Sequence, residues 1–303
     1  MSVNALILGI VTGLALASVY VLIAISVTLV LAVSGIFNFA QGSIVMLGTI
    51  LSFVLGVQLS LVGPVVVLII AAAGVLGGLL TYLVAVYPAI GRSNSFAHTA
   101  VLTTIGFGTV ANAIAALLFG ADTYRVPSYV SDSPVYFFSI ALRPTYLIII
   151  AIGFTLTLAI EWMVRRTRIG HVFRTTLEDP EGAEILGINT RKVIIGAFCA
   201  AGGLSALAGY LVAPIVGASA FTAQDLAFYG FAGMTIGGFG SFAGALVGGL
   251  VVGLLGGLLP TVALDPHLTL PLTWLTAIAV LLVRPAGLWG AAGLFGSARL
   301  RDV

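Results

Sequence analysis

The sequence predicts an all-α integral membrane protein: a polytopic helical bundle of about eight to ten membrane-embedded segments, with Gly-rich stretches that break or re-enter. Three observations carry that prediction. Only 22 of 303 residues are Asp, Glu, Lys or Arg, against roughly a quarter in an average soluble domain. Hydrophobic residues make up 60% of the chain and its mean hydropathy is +1.21, which leaves too little polar side chain to coat a water-soluble globule. The apolar residues also fall in runs close to the roughly 20 that a helix needs to cross a bilayer.

Taken in order, the runs lie at about 5–33, 43–57, 61–87, 99–119, 144–163, 192–216, 241–260 and 268–283. The first exceeds one span and holds either a tilted helix or a helix plus a re-entrant piece. It is too long for the core of a signal peptide, and no basic residue precedes it, so it reads as retained. The stretch 225–240 is apolar and Gly-rich, and its depth stays open. Half of the 12 basic residues (Arg165, Arg166, Arg168, Arg174, Arg191 and Lys192) fall within 164–192, which argues that this segment is cytoplasmic. The tail with Arg284, Arg299 and Arg301 belongs on the same side. An even number of crossings then separates 192 from 284, so 225–240 crosses or one run is re-entrant. Alternation makes 120–143 an external loop and the Arg92 loop internal. The whole chain, 1–303, reads as one transmembrane domain.

Two irregular stretches lie in opposite halves: Ser34-Gly35-Ile36-Phe37-Asn38-Phe39-Ala40-Gln41-Gly42 and Gly237-Gly238-Phe239-Gly240-Ser241-Phe242-Ala243-Gly244. Non-helical backbone at membrane depth survives only where protein buries it or a cavity hydrates it. Paired Gly-interrupted segments therefore point to a transport path and hint at an internal duplication. The candidate path residues are Asn38, Phe39, Gln41, Thr103, Thr104, Asn112, Phe239 and Ser241.

Within 164–192, Asp179 suits an N-cap and Pro180 the first helical position. Glu181 complements the helix dipole, and Gly187 is a natural stop. The result is a helix of about seven residues, too short to stand alone, with Ile185 and Leu186 as an apolar tip. Such a helix calls for a docking partner.

Catalytic chemistry is not indicated. Cys199 is a lone cysteine, and His98, His171 and His267 show no metal-ligand spacing. The single lysine, Lys192, follows Arg191 rather than a phosphate-binding glycine loop. No ionisable residue sits clearly in mid-span, which weakens an ion-coupled secondary carrier without excluding a backbone sodium site. A passive channel lacks a polar ring.

Four blocks carry a resemblance. Glu181-Gly182-Ala183-x-x-x-Gly187 is similar to the Glu-Ala-Ala-x-x-x-Gly loop of ABC importer permeases. The segment around it resembles the branched-chain amino acid (Liv-type) permeases, as do Gly35 to Gly42, Ile236 to Ser241, and Arg284-Pro285-Ala286-Gly287-Leu288-Trp289-Gly290. Ribose-type sugar permeases share a related plan, but the last block favours the amino acid branch. The family usually shows His where Gln41 stands and an acidic residue near Ser43, and that departure leaves the solute open. The resemblance implies a bacterial inner-membrane importer. A second permease subunit would complete the path, and two cytoplasmic ATPases, which use the ATP and Mg, would dock on Glu178, Asp179, Glu181, Ala183, Glu184, Ile185, Leu186 and Gly187. An external binding protein would deliver solute, membrane lipid would surround the bundle, and this chain itself would bind no cofactor, metal or nucleic acid.

Overall fold

The computed structural model describes residues 3–61, 63–89, 96–130, 133–137, 140–262 and 268–289. The Arg92 loop and the tail with Arg299 and Arg301 lie outside these residues. In order, the elements are α1 (Val3–Ser34), α2 (Gln41–Phe53, continued by a π turn over Val54–Gln58), α3 (Gly63–Thr81, drawn on by π and 3-10 turns to Ala89) and α4 (Phe96–Phe119). A two-stranded hairpin, β1 (Val135–Phe137) and β2 (Ile140–Leu142), precedes α5 (Pro144–Arg166), α6 (Arg168–Glu178) and α7 (Pro180–Ile185). The chain ends with α8 (Thr190–Val216), α9 (Thr222–Gly237), α10 (Phe242–Leu258) and α11 (Thr269–Val283).

Among the described residues seven helices are long and apolar enough to cross a membrane, and α9 and α11 are shorter, at 16 and 15 residues. The first run is one continuous 32-residue helix, α1, not a helix with a re-entrant piece. It is the mast of the bundle: 89% of its most apolar window is buried, and α5, α8, α9 and α10 pack around it. Its buried hydroxyls are satisfied within the helix, Ser18 donating to Ala15 O at 2.8 Å, Ser26 to Ile23 O at 2.7 Å and Thr28 to Ala24 O at 2.7 Å. Elsewhere the backbones themselves meet. A Cβ added at Gly78 of α3 would lie 2.0 Å from the carbonyl oxygen of Phe198 in α8, an approach that only a residue without a side chain permits.

The bundle has two distinct ends. At the basic end lie Arg165, Arg166, Arg168 and Arg174, and α6 rests there with Val172 and Phe173 turned into the protein. At the far end, Tyr124 and Ala218 exchange backbone hydrogen bonds at 2.8 and 2.9 Å, tying the 120–143 segment to the end of α8. Tyr129 stacks on Tyr210 with ring centroids 4.4 Å apart and donates to its carbonyl. Burial pushes the Tyr129 phenol well above its ordinary pKa. From α8 onward the chain makes four passes, and 225–240 supplies the helix α9. After α11 the chain folds under α9: Leu288 and Trp289 donate to the last carbonyls of that helix, Ile236 O at 2.9 Å and Gly237 O at 2.8 Å, groups that a helix end leaves unpaired.

Candidate functional site

The first irregular stretch is a true break between helices. Gly35 turns the chain with φ +66°, and residues 35–40 carry it to Gln41, the first residue of α2. Gln41 is 0% exposed. Its Nε2 donates to Ala201 O at 2.9 Å and to Ser205 Oγ at 2.6 Å, and its Oε1 accepts from Asn38 Nδ2 at 2.9 Å. Asn38 Oδ1 accepts in turn from the Ala40 amide at 3.1 Å, and Ser205 lies 2.8 Å from Ser26 Oγ. This chain of bonds pins the break to α1 and α8. Asn38 and Gln41 therefore face protein in this conformation.

Beside the break, α2, α4 and α9 enclose a cavity of about 240 Å³. One face of α4 supplies Ile105, Gly108, Thr109 and Asn112, residues at the spacing that stacks side chains along a helix. Phe39, Gly42 and Ser43 come from the break and the start of α2, and Ala227, Phe228 and Phe231 from α9. Phe39 stacks on Phe231 with centroids 5.0 Å apart. Ser43 and Thr109 direct their hydroxyls to their own backbones, at Ala40 O (2.7 Å) and Ile105 O (2.9 Å). Asn112 Oδ1 is different: it is buried and has no hydrogen-bond partner among the described residues. An acceptor left unpaired in an apolar wall costs free energy until something donates to it.

The remaining candidates lie elsewhere. Thr104 bridges α4 to the break, accepting from the Phe39 amide at 3.3 Å and donating to Val101 O at 2.8 Å. Thr103 donates to Ala85 O at 2.6 Å and holds α4 to the end of α3. Phe239 meets Phe37 edge-on, centroids 5.8 Å apart, so the two irregular stretches touch each other. Ser241 caps α10, accepting from the Gly244 amide at 3.0 Å, in a recess with Glu161, Arg165 and Arg174. The second stretch is thus a turn between α9 and α10 at the basic end. Of the eight residues, Phe39 and Asn112 line the cavity. Phe228, Phe231 and Thr109 were not singled out from sequence, although Thr109 stands one turn from Asn112 on α4.

At the basic end, α7 is a six-residue helix with both ends closed. Asp179 Oδ1 accepts from the Gly182 amide at 2.9 Å. Gly187, at φ +81°, donates to Glu184 O, and Ile188 donates to Ala183 O, both at 2.9 Å, which is the double bond pattern of a glycine-terminated helix. Glu184 also accepts from Thr190 at 2.5 Å. Ala183 is fully buried, Ile185 is 87% exposed and Leu186 74% exposed. Glu181 stands in the first turn, and Glu178 is the last residue of α6.

A family model described as the permease component of branched-chain amino acid transport systems matches residues 9–300. The chain belongs to this family. The permease is 29% identical to the high-affinity branched-chain amino acid transport system permease protein LivH of Salmonella typhimurium, over 92% of this chain and 93% of the relative. The same protein of Escherichia coli gives the same figures. The permease protein BraD of Pseudomonas aeruginosa is 27% identical over 84% of this chain and 83% of its own. A shorter match, 43% identical over 77 residues, joins it to the autoinducer 2 import system permease protein LsrC of Salmonella paratyphi B. The permease is a multi-pass inner-membrane protein and, as a permease component, not the catalytic subunit of its transport system.

Proposed function

We propose that this permease imports branched-chain amino acids, with the cavity between α2, α4 and α9 as its solute subsite. The observation that carries the reading is the family match over residues 9–300; the form of the cavity agrees with it. Asn112 brings an amide to the lining whose Oδ1 has no partner among the described residues, and a turn of that side chain would present it to a solute ammonium group; Phe39, Phe228 and Phe231 offer an apolar side-chain site. A second permease subunit pairs with this one, and an external protein delivers the solute. Two cytoplasmic ATPases dock at α7, where Ile185 and Leu186 project from a helix braced by caps on both sides. The basic end is cytoplasmic and the 120–143 segment external, which puts the N-terminus outside. Closure of the ATPases on α7 biases the bundle between outward- and inward-facing states.

Uptake of radiolabelled leucine, isoleucine and valine by cells expressing the chain with its transport partners tests this. Asn112→Leu removes an acceptor for a charged donor, so uptake should fall by about 10- to 100-fold at low solute concentration, with the protein still at normal level in the membrane. Unchanged uptake would remove the cavity from the path. Wild-type cells that take up none of the three would overturn the solute assignment while leaving the family membership intact.

A further inference from the structure

α5 and α8 both pack on α1 but spread away from each other, and the gap between them is an apolar groove of about 370 Å³. Leu29 of α1 lies at its floor, Ile160 and Met163 of α5 on one wall, and Gly196 and Leu207 of α8 on the other. Phe173 of α6 closes it at the basic end. Gly196 faces open space, with nothing within 4 Å of where a Cβ would stand.

Depth and charge define the occupant. From Gly196 to Leu207 the groove follows about 16 Å of helix, and half of a hydrocarbon core is about 15 Å. The groove is therefore one leaflet deep and begins where the basic cluster lies. A transmembrane helix of a partner would need a face running the full thickness of the bilayer, which this groove does not offer. At the same end of the bundle, Arg165 is engaged by Glu161 at 2.7 Å. Arg166 and Arg168 are exposed and have no acidic partner among the described residues.

We propose that the groove holds one acyl chain of an anionic phospholipid from the leaflet at the basic end, with Arg166 and Arg168 taking its phosphate. The site shares no lining residue with the cavity between α2, α4 and α9, so the lipid is a structural ligand and not cargo. It fills the space that α5 and α8 leave open and braces α6, the helix that carries α7. The inference rests on the bundle spanning a membrane, and does not depend on which solute moves.

The test is lipid retention. The full chain is purified in mild detergent from membranes containing phosphatidylglycerol and phosphatidylethanolamine, and retained lipid is identified by native mass spectrometry. The wild type should keep one phosphatidylglycerol per chain through washing. Gly196→Leu, which fills the groove, should lose it; Ala200→Leu, on the same wall, is the second filling variant should the first not fold. Arg166→Gln with Arg168→Gln should keep a lipid but lose the anionic preference, by about fivefold for each arginine. A wild type that washes free of lipid, or filled variants that retain as much as wild type, would overturn the site. Retention that mirrors the bulk lipid composition in both the wild type and the double arginine variant would overturn the headgroup assignment.

Discussion

At the scale of single residues, the structure divides polar side chains that the sequence presents alike. Gln41 and Asn112 are both amides in apolar surroundings, yet Gln41 uses its donors and acceptor on three partners while Asn112 Oδ1 has none among the described residues. A sequence shows that such an amide must be satisfied but not by what, because Ala201 and Ser205 approach Gln41 from 160 residues away or more. The two should respond differently to the same change. Gln41→Leu strands the Asn38 amide and removes the side-chain bonds to Ala201 and Ser205 of α8, costing about 3 kcal/mol; thermal unfolding in detergent, followed by loss of monodisperse protein, should come several degrees lower. Asn112→Leu should leave that midpoint unchanged or raise it, since it removes an unpaired group. The caps of α7 were legible from short-range rules alone: Asp179, Pro180 and Gly187 occupy the positions that their chemistry selects.

At the scale of elements, the long helices were readable from run length, the depth of the stretch that forms α9 stayed open, and the helix that lies along the end was not readable at all. The helix α6 packs two apolar side chains, Val172 and Phe173, against the core, in a sequence otherwise rich in charge and hydroxyls, so it passes for a basic loop. Thr167 starts it, accepting from the Gly170 amide at 3.2 Å. Together α6 and α7 form a jointed lever between α5 and α8, and its exposed tip is where coupling should be most sensitive. Ile185→Asp places a charge on the apolar tip proposed as the docking surface, so solute-stimulated ATPase activity in proteoliposomes with the partner subunits should drop by at least about tenfold. Expression and membrane insertion should stay normal, because the side chain touches little of its own chain. ATPase activity at the wild-type level would move the docking site away from α7. Asp179→Ala is milder, about 1 kcal/mol of cap stability, and should reduce coupling in part.

At the scale of the whole molecule, helices of the bundle meet through their backbones wherever glycine lets them. The sequence shows the abundance of glycine but not which helices meet through it, since pairing is a property of the assembled bundle. The contact between α3 and α8 makes a sharp case. Gly78→Val would drive methyl groups into the Phe198 carbonyl, forcing two helices apart over their length. Such a chain should fail to give a monodisperse peak in size-exclusion chromatography, whereas Gly196→Leu on the open side of α8 should give one. The mast helix α1 has a further consequence, for biosynthesis. The helix it packs against most extensively, α10, is made more than two hundred residues later. During that interval α1 must wait among lipids with its future interfaces uncovered. Its hydroxyls can tolerate the delay because Ser18, Ser26 and Thr28 already bond to carbonyls of their own helix. A helix that will spend its life inside protein is thus built to be comfortable first in oil.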